Sequence, residues 1–143
     1  MELNNEITRM YTAIAVHLAK QRKVSTSGDG IGCMYRDGEG NACAVGCLMT
    51  DSYYKAILHQ FSYARVESVY AAGLPFLLLD DLHRQYAPDT DKQGFIRALM
   101  VAQHYHDNYY YTQDLEQHGA LPNEELGGLI YDRLCRAFEN EAP

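Results

Sequence analysis

Apolar residues recur at helical spacing in the first part of the chain. Five of them follow one another at intervals of three or four residues: Leu3, Ile7, Met10, Ile14 and Leu18. This spacing places their side chains on one face of a helix, which can then pack on a core. The pattern predicts an amphipathic helix over residues 3–22, ended by a polar, glycine-containing loop over residues 25–30.

A segment rich in glycine and cysteine follows, over residues 31–49. Asp37-Gly38 and Gly40-Asn41 favour tight turns, because Gly and Asn accept a positive φ at low cost. The pattern predicts a β-hairpin with strands at residues 31–36 and 41–45. We expect it to pack on helices, because a lone hairpin is only marginally stable in water.

Start signals for four more helices lie downstream. They are Thr50-Asp51, Pro75, the Asp-Thr-Asp sequence at 89–91, and Pro122 with two glutamates after it. The predicted helices cover about residues 51–61 and 75–86, a stretch capped by residues 89–91 that ends near Tyr109, and a C-terminal stretch from 122. Residues 89–100 also open like a calcium-binding loop, but Met100 occupies the position of its bidentate carboxylate, which favours the capped helix.

These elements predict a mainly α fold with five or six helices and one small β-hairpin, a single-layer α+β domain. The length of 143 residues and the lack of any break in composition predict a single domain over residues 1–143. No run approaches the 18 apolar residues typical of a membrane span, and the first residues lack the features of a secretory signal. We therefore expect a cytoplasmic protein with no membrane partner.

The net charge of −7 speaks against one class of function. A general nucleic-acid binder needs a basic patch that displaces counterions. The acidic surface serves either solubility or the binding of a basic partner surface.

The cysteines admit several interpretations. In a reducing cytosol, Cys33, Cys43, Cys47 and Cys135 are free thiols or metal ligands rather than disulfides. The first three are spaced C-x9-C-x3-C, unlike the close pairs of most zinc sites, and buried apolar thiols are the simplest interpretation. A zinc-supported interaction domain remains an alternative.

A cysteine-dependent hydrolase is another alternative. Cys43 or Cys47 lies near a predicted helix start, where backbone N–H groups stabilise a thiolate, and His106 is the candidate base. The neighbouring Asp107 is not expected to orient His106, because adjacent residues on a helix point about 100° apart. Asp80 or Asp81 is expected in that role.

Tyrosine is unusually frequent, with 12 copies against no tryptophan, and several fall in the run 104–111. Tyrosine combines a stiff ring with a polar tip, which suits interfaces and stacking pockets, although half-buried tyrosines at a helix end are the simpler interpretation. Arg36 beside exposed hairpin N–H groups is a candidate anion contact. The predicted ligand-binding residues are Tyr35, Arg36, Tyr53, Tyr54, His106 and Tyr109, with no cofactor and no metal.

One string in the hairpin segment resembles a known sequence pattern. It reads Cys33-x-Tyr35-Arg36-x3-Gly40-x2-Cys43-Ala44-Val45-Gly46-Cys47-Leu48-Met49. The string is similar to the Y-R-x(3,4)-G-x-x-C-A-V-G-C-L-I segment of small uncharacterised proteins of tailed phages and prophages. Their downstream L-Q-x-x-H-D element is matched in part by Gln103, His106 and Asp107, with Ala102 in place of the leucine.

The resemblance implies a biological setting. Small phage proteins outside the structural and replication modules often inhibit host defence. The expected function is thus that of a phage-encoded, non-enzymatic binding protein acting in the host cytoplasm. Its partner would be a host defence protein or a small nucleotide signal. Independently of the resemblance, the apolar block at residues 71–79 would serve the interface of a homodimer, the commonest symmetric assembly.

Overall fold

The computed structural model describes residues 3–25, 33–34, 39–55, 65–66 and 76–140. Over these residues the chain is mainly helical. The helices are α1 (Asn5–Gln21), α2 (described over residues 51–55), α3 (Phe76–Tyr86), α4 (Lys92–Asp107), α5 (Tyr110–His118) and α6 (Asn123–Asn140), with a 3-10 turn at Gly46–Leu48. Within these ranges, none of the helices is long and apolar enough to cross a membrane.

Helix α1 confirms the predicted amphipathic pattern. The Asn4 side chain caps it by accepting a hydrogen bond from the Ile7 N–H at 2.9 Å. Its apolar face, including Met10 and Leu18, is buried in the core. The helix ends at Arg22, which adopts the left-handed conformation with φ of 55° and donates its N–H to the Leu18 carbonyl.

The predicted β-hairpin, and with it the α+β fold class, is wrong. Cys33–Met34 (β1) pairs in antiparallel fashion with Arg65–Val66 (β2), and residues 41–45 form no strand. The turn chemistry was predicted correctly at Gly40, whose φ is 88°. Beyond it, residues 42–45 are all buried rather than alternately exposed, so this stretch lacks the solvated face of a hairpin strand.

Glutamine side chains bind the backbone of this segment. The Gln21 amide donates to the Ala42 carbonyl at 2.9 Å and accepts from the Ala42 N–H at 2.7 Å. The Gln103 side chain accepts from the Val45 N–H at 3.1 Å. These bonds satisfy backbone groups of a buried segment that has lost its hydrogen bonds to water.

A polar junction joins the start of α1 to the loop before α4. The Glu6 carboxylate accepts hydrogen bonds from the Asp89 N–H and from the Thr90 hydroxyl, the latter at 2.7 Å. Asp91 then caps α4 as predicted, because its side chain accepts from the Gly94 N–H at 2.7 Å.

Helix α5 is an element that the sequence pattern did not predict. The α4 helix ends at Asp107, and Tyr109, with a φ of 75°, turns the chain into α5. Helix α6 then returns along α1, where a Cβ on Gly127 would lie 3.7 Å from the Ala19 Cβ. The guanidinium of Arg22 donates to the carbonyls of Gly119 and Leu121 and so fixes the α5–α6 turn to the end of α1.

Candidate functional site

A buried polar cluster surrounds His106 on α4. Its Nε2 atom accepts a hydrogen bond from the Ser25 N–H at 3.1 Å, and its Nδ1 atom lies 2.6 Å from Oδ1 of Asp107. The same oxygen accepts from Gln103 at 2.8 Å. The expectation that Asp107 would not orient the adjacent His106 is therefore wrong, since the short distance shows that their side chains meet despite the angle between them.

Cys43 lies near this cluster but has little thiolate character. It is fully buried, and its Sγ accepts a hydrogen bond from the Gly46 N–H at 3.2 Å. Burial raises the pKa of the Cys43 thiol far above its usual range, and the negative charge of Asp107 raises it further. The thiol group of Cys47 donates to the Ala44 carbonyl at 3.1 Å.

The cluster is therefore better suited to holding the fold than to nucleophilic catalysis. A base must offer a free nitrogen to the thiol, whereas Nε2 of His106 already accepts from Ser25. Asp80, one of the expected orienting groups, instead forms an ion pair with Lys92. Asp81, the other, bonds to Arg84 and to the Tyr53 hydroxyl.

The predicted ligand-binding residues that the structure describes lie in different surroundings. Tyr35 and Arg36 lie outside the described residues. Tyr53 is half-buried on α2 and bonds to Asp81, which raises its pKa, and Tyr54 is likewise half-buried. His106 is buried and has no exposed edge for a ligand. Tyr109 is 57% exposed at the α4–α5 corner.

A cleft of about 540 Å³ opens beside that corner, between α4, α5 and α6. We call it the α4–α6 cleft. Its polar lining is provided by His104, Tyr105, Tyr110, Gln113, Asp114, Gln117, Arg133, Arg136 and Asn140. Val101 and Ala137 complete the lining. The volume lies within the range of small-molecule sites.

Asp114 organises the centre of the cleft. Its buried carboxylate accepts from the Tyr105 hydroxyl at 2.8 Å and from the guanidinium of Arg133 at 3.2 and 3.3 Å. Burial, and next the bond to Asp114, raise the pKa of Tyr105 far above its usual range, so Tyr105 remains a donor. The arrangement holds the Arg133 side chain in one orientation at the wall of the cleft.

Aromatic rings from α4 and α5 form another part of the lining. The ring of Tyr110 is 53% exposed and lies 5.7 Å from the His104 ring, centroid to centroid. Tyr109, the residue before it, adopts a left-handed conformation that is unusual for a bulky side chain. This backbone conformation directs the chain from α4 into α5 and so sets where Tyr110 begins the helix.

The charge of the α4–α6 cleft differs from that of the whole chain. Its charged lining residues are two arginines and one aspartate, in a chain with a net charge of −7. Arg133 is committed to Asp114, and Arg136 pairs with Asp132 on the solvent-exposed surface of α6. The lining therefore carries one more positive than negative charge, and each of its two arginines is paired with a carboxylate.

A second groove of about 520 Å³ lies between α1 and α6. Small and apolar residues such as Ala15, Val16 and Gly128 make up much of its lining. Polar residues such as Lys20 and Glu124 also line it, but little of the surface that the groove presents is polar. The α4–α6 cleft is therefore the stronger candidate for a site that orients a ligand.

The sequence pointed to only one wall of this cleft. The tyrosine-rich run 104–111 includes His104 and Tyr110, but Arg133 and Arg136 were not singled out. Their signal is helical spacing: Arg133, Arg136 and Asn140 recur on one face of α6. In the sequence, that face is indistinguishable from the ordinary polar side of an amphipathic helix.

Within the described part of the chain, no group of three or more His, Cys, Asp or Glu residues is placed to hold a metal ion. The Cys33 side chain lies outside that part. No known protein family, curated protein or solved structure matches this chain. The resemblance to phage proteins therefore stays an expectation from the sequence string alone.

Proposed function

We propose that the chain is a non-enzymatic binding protein that holds its ligand in the α4–α6 cleft. In this proposal it is phage-encoded and acts in counter-defence, either by inhibiting a host defence protein or by sequestering a small nucleotide. The cleft is the observation that supports the proposal, because its lining combines two arginines with two exposed aromatic rings. The phage setting is supported by the string at residues 33–49 and by the partial match of Gln103, His106 and Asp107.

The chemistry of the lining supports binding rather than catalysis. It includes no cysteine, serine or threonine that would act as a nucleophile. Its carboxylate, Asp114, is already held by Tyr105 and Arg133. The cysteine hydrolase and the zinc-supported domain remain alternatives, which thiol labelling and metal analysis of the purified protein would test.

A cleft-blocking variant tests the proposal directly. Ala137→Trp places a large ring in the α4–α6 cleft, and Val16→Trp, on the exposed side of α1 in the second groove, is the matched control. The native chain and both variants would be purified from a bacterial lysate and examined by native mass spectrometry. The expected result is a bound mass on the native chain and on Val16→Trp, lost from Ala137→Trp. A bound mass that persists in Ala137→Trp would place the site elsewhere.

The counter-defence setting needs a separate measurement. Bacteria that carry a defence system and express the chain would be infected with a phage that the system restricts. We expect the chain to restore plaque formation and Ala137→Trp to fail, while both accumulate to the same level. If the native chain restores plaque formation against none of a panel of defence systems, the counter-defence setting is contradicted. That result would not bear on whether the α4–α6 cleft binds a ligand.

A further inference from the structure

The two walls of the α4–α6 cleft offer two different kinds of contact. Arg133 and Arg136 project from α6, and His104 and Tyr110 come from α4 and α5. Guanidinium groups bind phosphates and carboxylates, whereas exposed aromatic rings bind planar rings by stacking. A ligand that fills the cleft and uses both walls is therefore an anion that carries an aromatic ring.

Arg133 is preorganised for an anion. Two of its N–H donors go to Asp114, which Tyr105 holds from the other side, and a guanidinium has five such donors. The remaining donors have a fixed direction before any ligand arrives. A fixed cation loses little conformational entropy on binding.

Arg136 differs because it is held weakly. Its ion pair with Asp132 joins two side chains that are 69% and 49% exposed, and such pairs contribute little in water. The guanidinium can therefore exchange Asp132 for a ligand phosphate at low cost. Arg133 thus offers an oriented contact for an anion, and Arg136, in the same lining, offers one that is only weakly held.

The ring wall has the exposure that stacking needs. About half of the Tyr110 side chain is open to solvent, although the ring stands against His104. Next to these rings, Gln113 and Gln117 lie one helical turn apart on the cleft face of α5. A side-chain amide both donates and accepts hydrogen bonds, as the edge of a nucleobase does.

We infer that the ligand of the α4–α6 cleft is a nucleotide. Its phosphate contacts Arg133 and Arg136, its base stacks on Tyr110, and the glutamine amides contact the base edge. This inference rests on the proposed binding function and decides between its two kinds of partner. An acidic protein loop would use the arginines but would not need an exposed ring beside a cleft of this size.

Calorimetric titration separates the two walls. The probes are the four common nucleoside 5′-monophosphates, with adenosine and inorganic phosphate as partial ligands. We expect at least one nucleotide to bind the native chain at least about 10-fold more tightly than either partial ligand, since it uses both walls. Arg136→Gln is expected to weaken the binding of that nucleotide by about 10-fold and to leave the binding of the nucleoside, adenosine, unaffected.

Tyr110→Leu gives the complementary result. This substitution keeps an apolar side chain on α5 but removes the stacking ring. The binding of the nucleotide and of the nucleoside is therefore expected to weaken by about 10-fold in both cases. Arg9→Gln, on the exposed side of α1, is the control for a general loss of positive charge and is expected to bind as the native chain does. Thermal unfolding of each variant verifies that it is folded.

Two outcomes overturn the inference. One is that no nucleotide binds, and the other is that a nucleotide binds equally well to Arg136→Gln and Tyr110→Leu. If the bound mass from the lysate still depends on Ala137, the cleft remains a binding site and only the nucleotide class is wrong. If that mass is absent as well, the proposed function fails together with the inference.

Discussion

The backbone N–H of Ser25 donates to Nε2 of His106 at 3.1 Å, and both residues are buried. Because Nε2 is the acceptor, the hydrogen of a neutral imidazole resides on Nδ1, which faces Asp107. His106 thus links Ser25, which follows α1, to helix α4. It also stacks on Tyr111, at 5.7 Å and 25° between rings.

His106→Ala is therefore expected to destabilise the fold by about 2–4 kcal/mol, because it opens a cavity and leaves buried polar groups without a partner. Urea denaturation followed by circular dichroism measures this loss. The control is His104→Ala, two residues away on the exposed side of α4, with an expected change within about 0.5 kcal/mol. Equal urea midpoints for the two variants would contradict the structural role of His106.

Cys43 is expected to resist alkylation in the folded protein. Burial holds the pKa of its thiol far above the usual range, so the reactive thiolate is scarce near neutral pH. Iodoacetamide labelling at about pH 8, resolved by peptide mass spectrometry, would show Cys43 labelled much more slowly than the half-buried Cys47. Labelling in urea provides the unprotected rates. Rapid, selective labelling of Cys43 at mildly acidic pH would instead support the cysteine hydrolase.

Glu6 gives the stability of the fold a specific pH dependence. Its pKa lies below the ordinary value of 4.5, chiefly because the Thr90 hydroxyl donates to the carboxylate. A lowered folded-state pKa means that the ionised group stabilises the fold above that ordinary value. The contribution is lost as the pH falls through the lowered pKa.

Glu6→Gln is accordingly expected to be less stable than the native chain at neutral pH, with a difference that shrinks between about pH 5 and pH 3. Urea midpoints measured across that range provide the test. Thr90→Val removes the hydroxyl that lowers the pKa most and is expected to flatten part of the same pH dependence. A difference between native and Glu6→Gln that is constant with pH would contradict this assignment.

The helices that the sequence predicted correctly are those whose signals are local. Asn4 and Asp91 cap α1 and α4 through bonds three residues along the chain, and the apolar spacing of α1 is visible in the sequence. The hairpin was predicted wrongly because its outcome depends on distant residues. Gln103 lies 58 residues from Val45 in the sequence. No local pattern predicts that its side chain accepts a hydrogen bond from the Val45 backbone.

The same distinction applies to the candidate site. The sequence drew attention to the tyrosine-rich run, since an unusual composition is visible without a fold. It could not place Arg133 and Tyr110 in the lining of one cleft, because that requires the angle at which α5 leaves α4. Tyr109 sets this angle through a positive φ, which sequence patterns associate with Gly or Asn rather than with tyrosine.

Arg22 and Tyr109 are the two described residues other than glycine that have a positive φ, and glycine is expected to affect them oppositely. For an L-residue the left-handed conformation costs roughly 1–2 kcal/mol, which glycine avoids at an entropic cost of about 0.5–1 kcal/mol. The Tyr109 side chain is exposed and donates to Glu116 at the surface. Tyr109→Gly should therefore stabilise the fold, by about 0.5–1 kcal/mol.

Arg22→Gly should destabilise the fold by about 2 kcal/mol, despite the same backbone relief. The guanidinium is lost with its bonds to the Gly119 and Leu121 carbonyls and to Asn123, and these bonds tie the α5–α6 turn to α1. Thermal unfolding of the two variants beside the native chain measures the expected gain in stability of Tyr109→Gly and the expected loss in Arg22→Gly. A loss of stability in Tyr109→Gly would mean that its ring contributes more to the fold than its exposure implies. Unchanged stability in Arg22→Gly would mean that water replaces the guanidinium without cost.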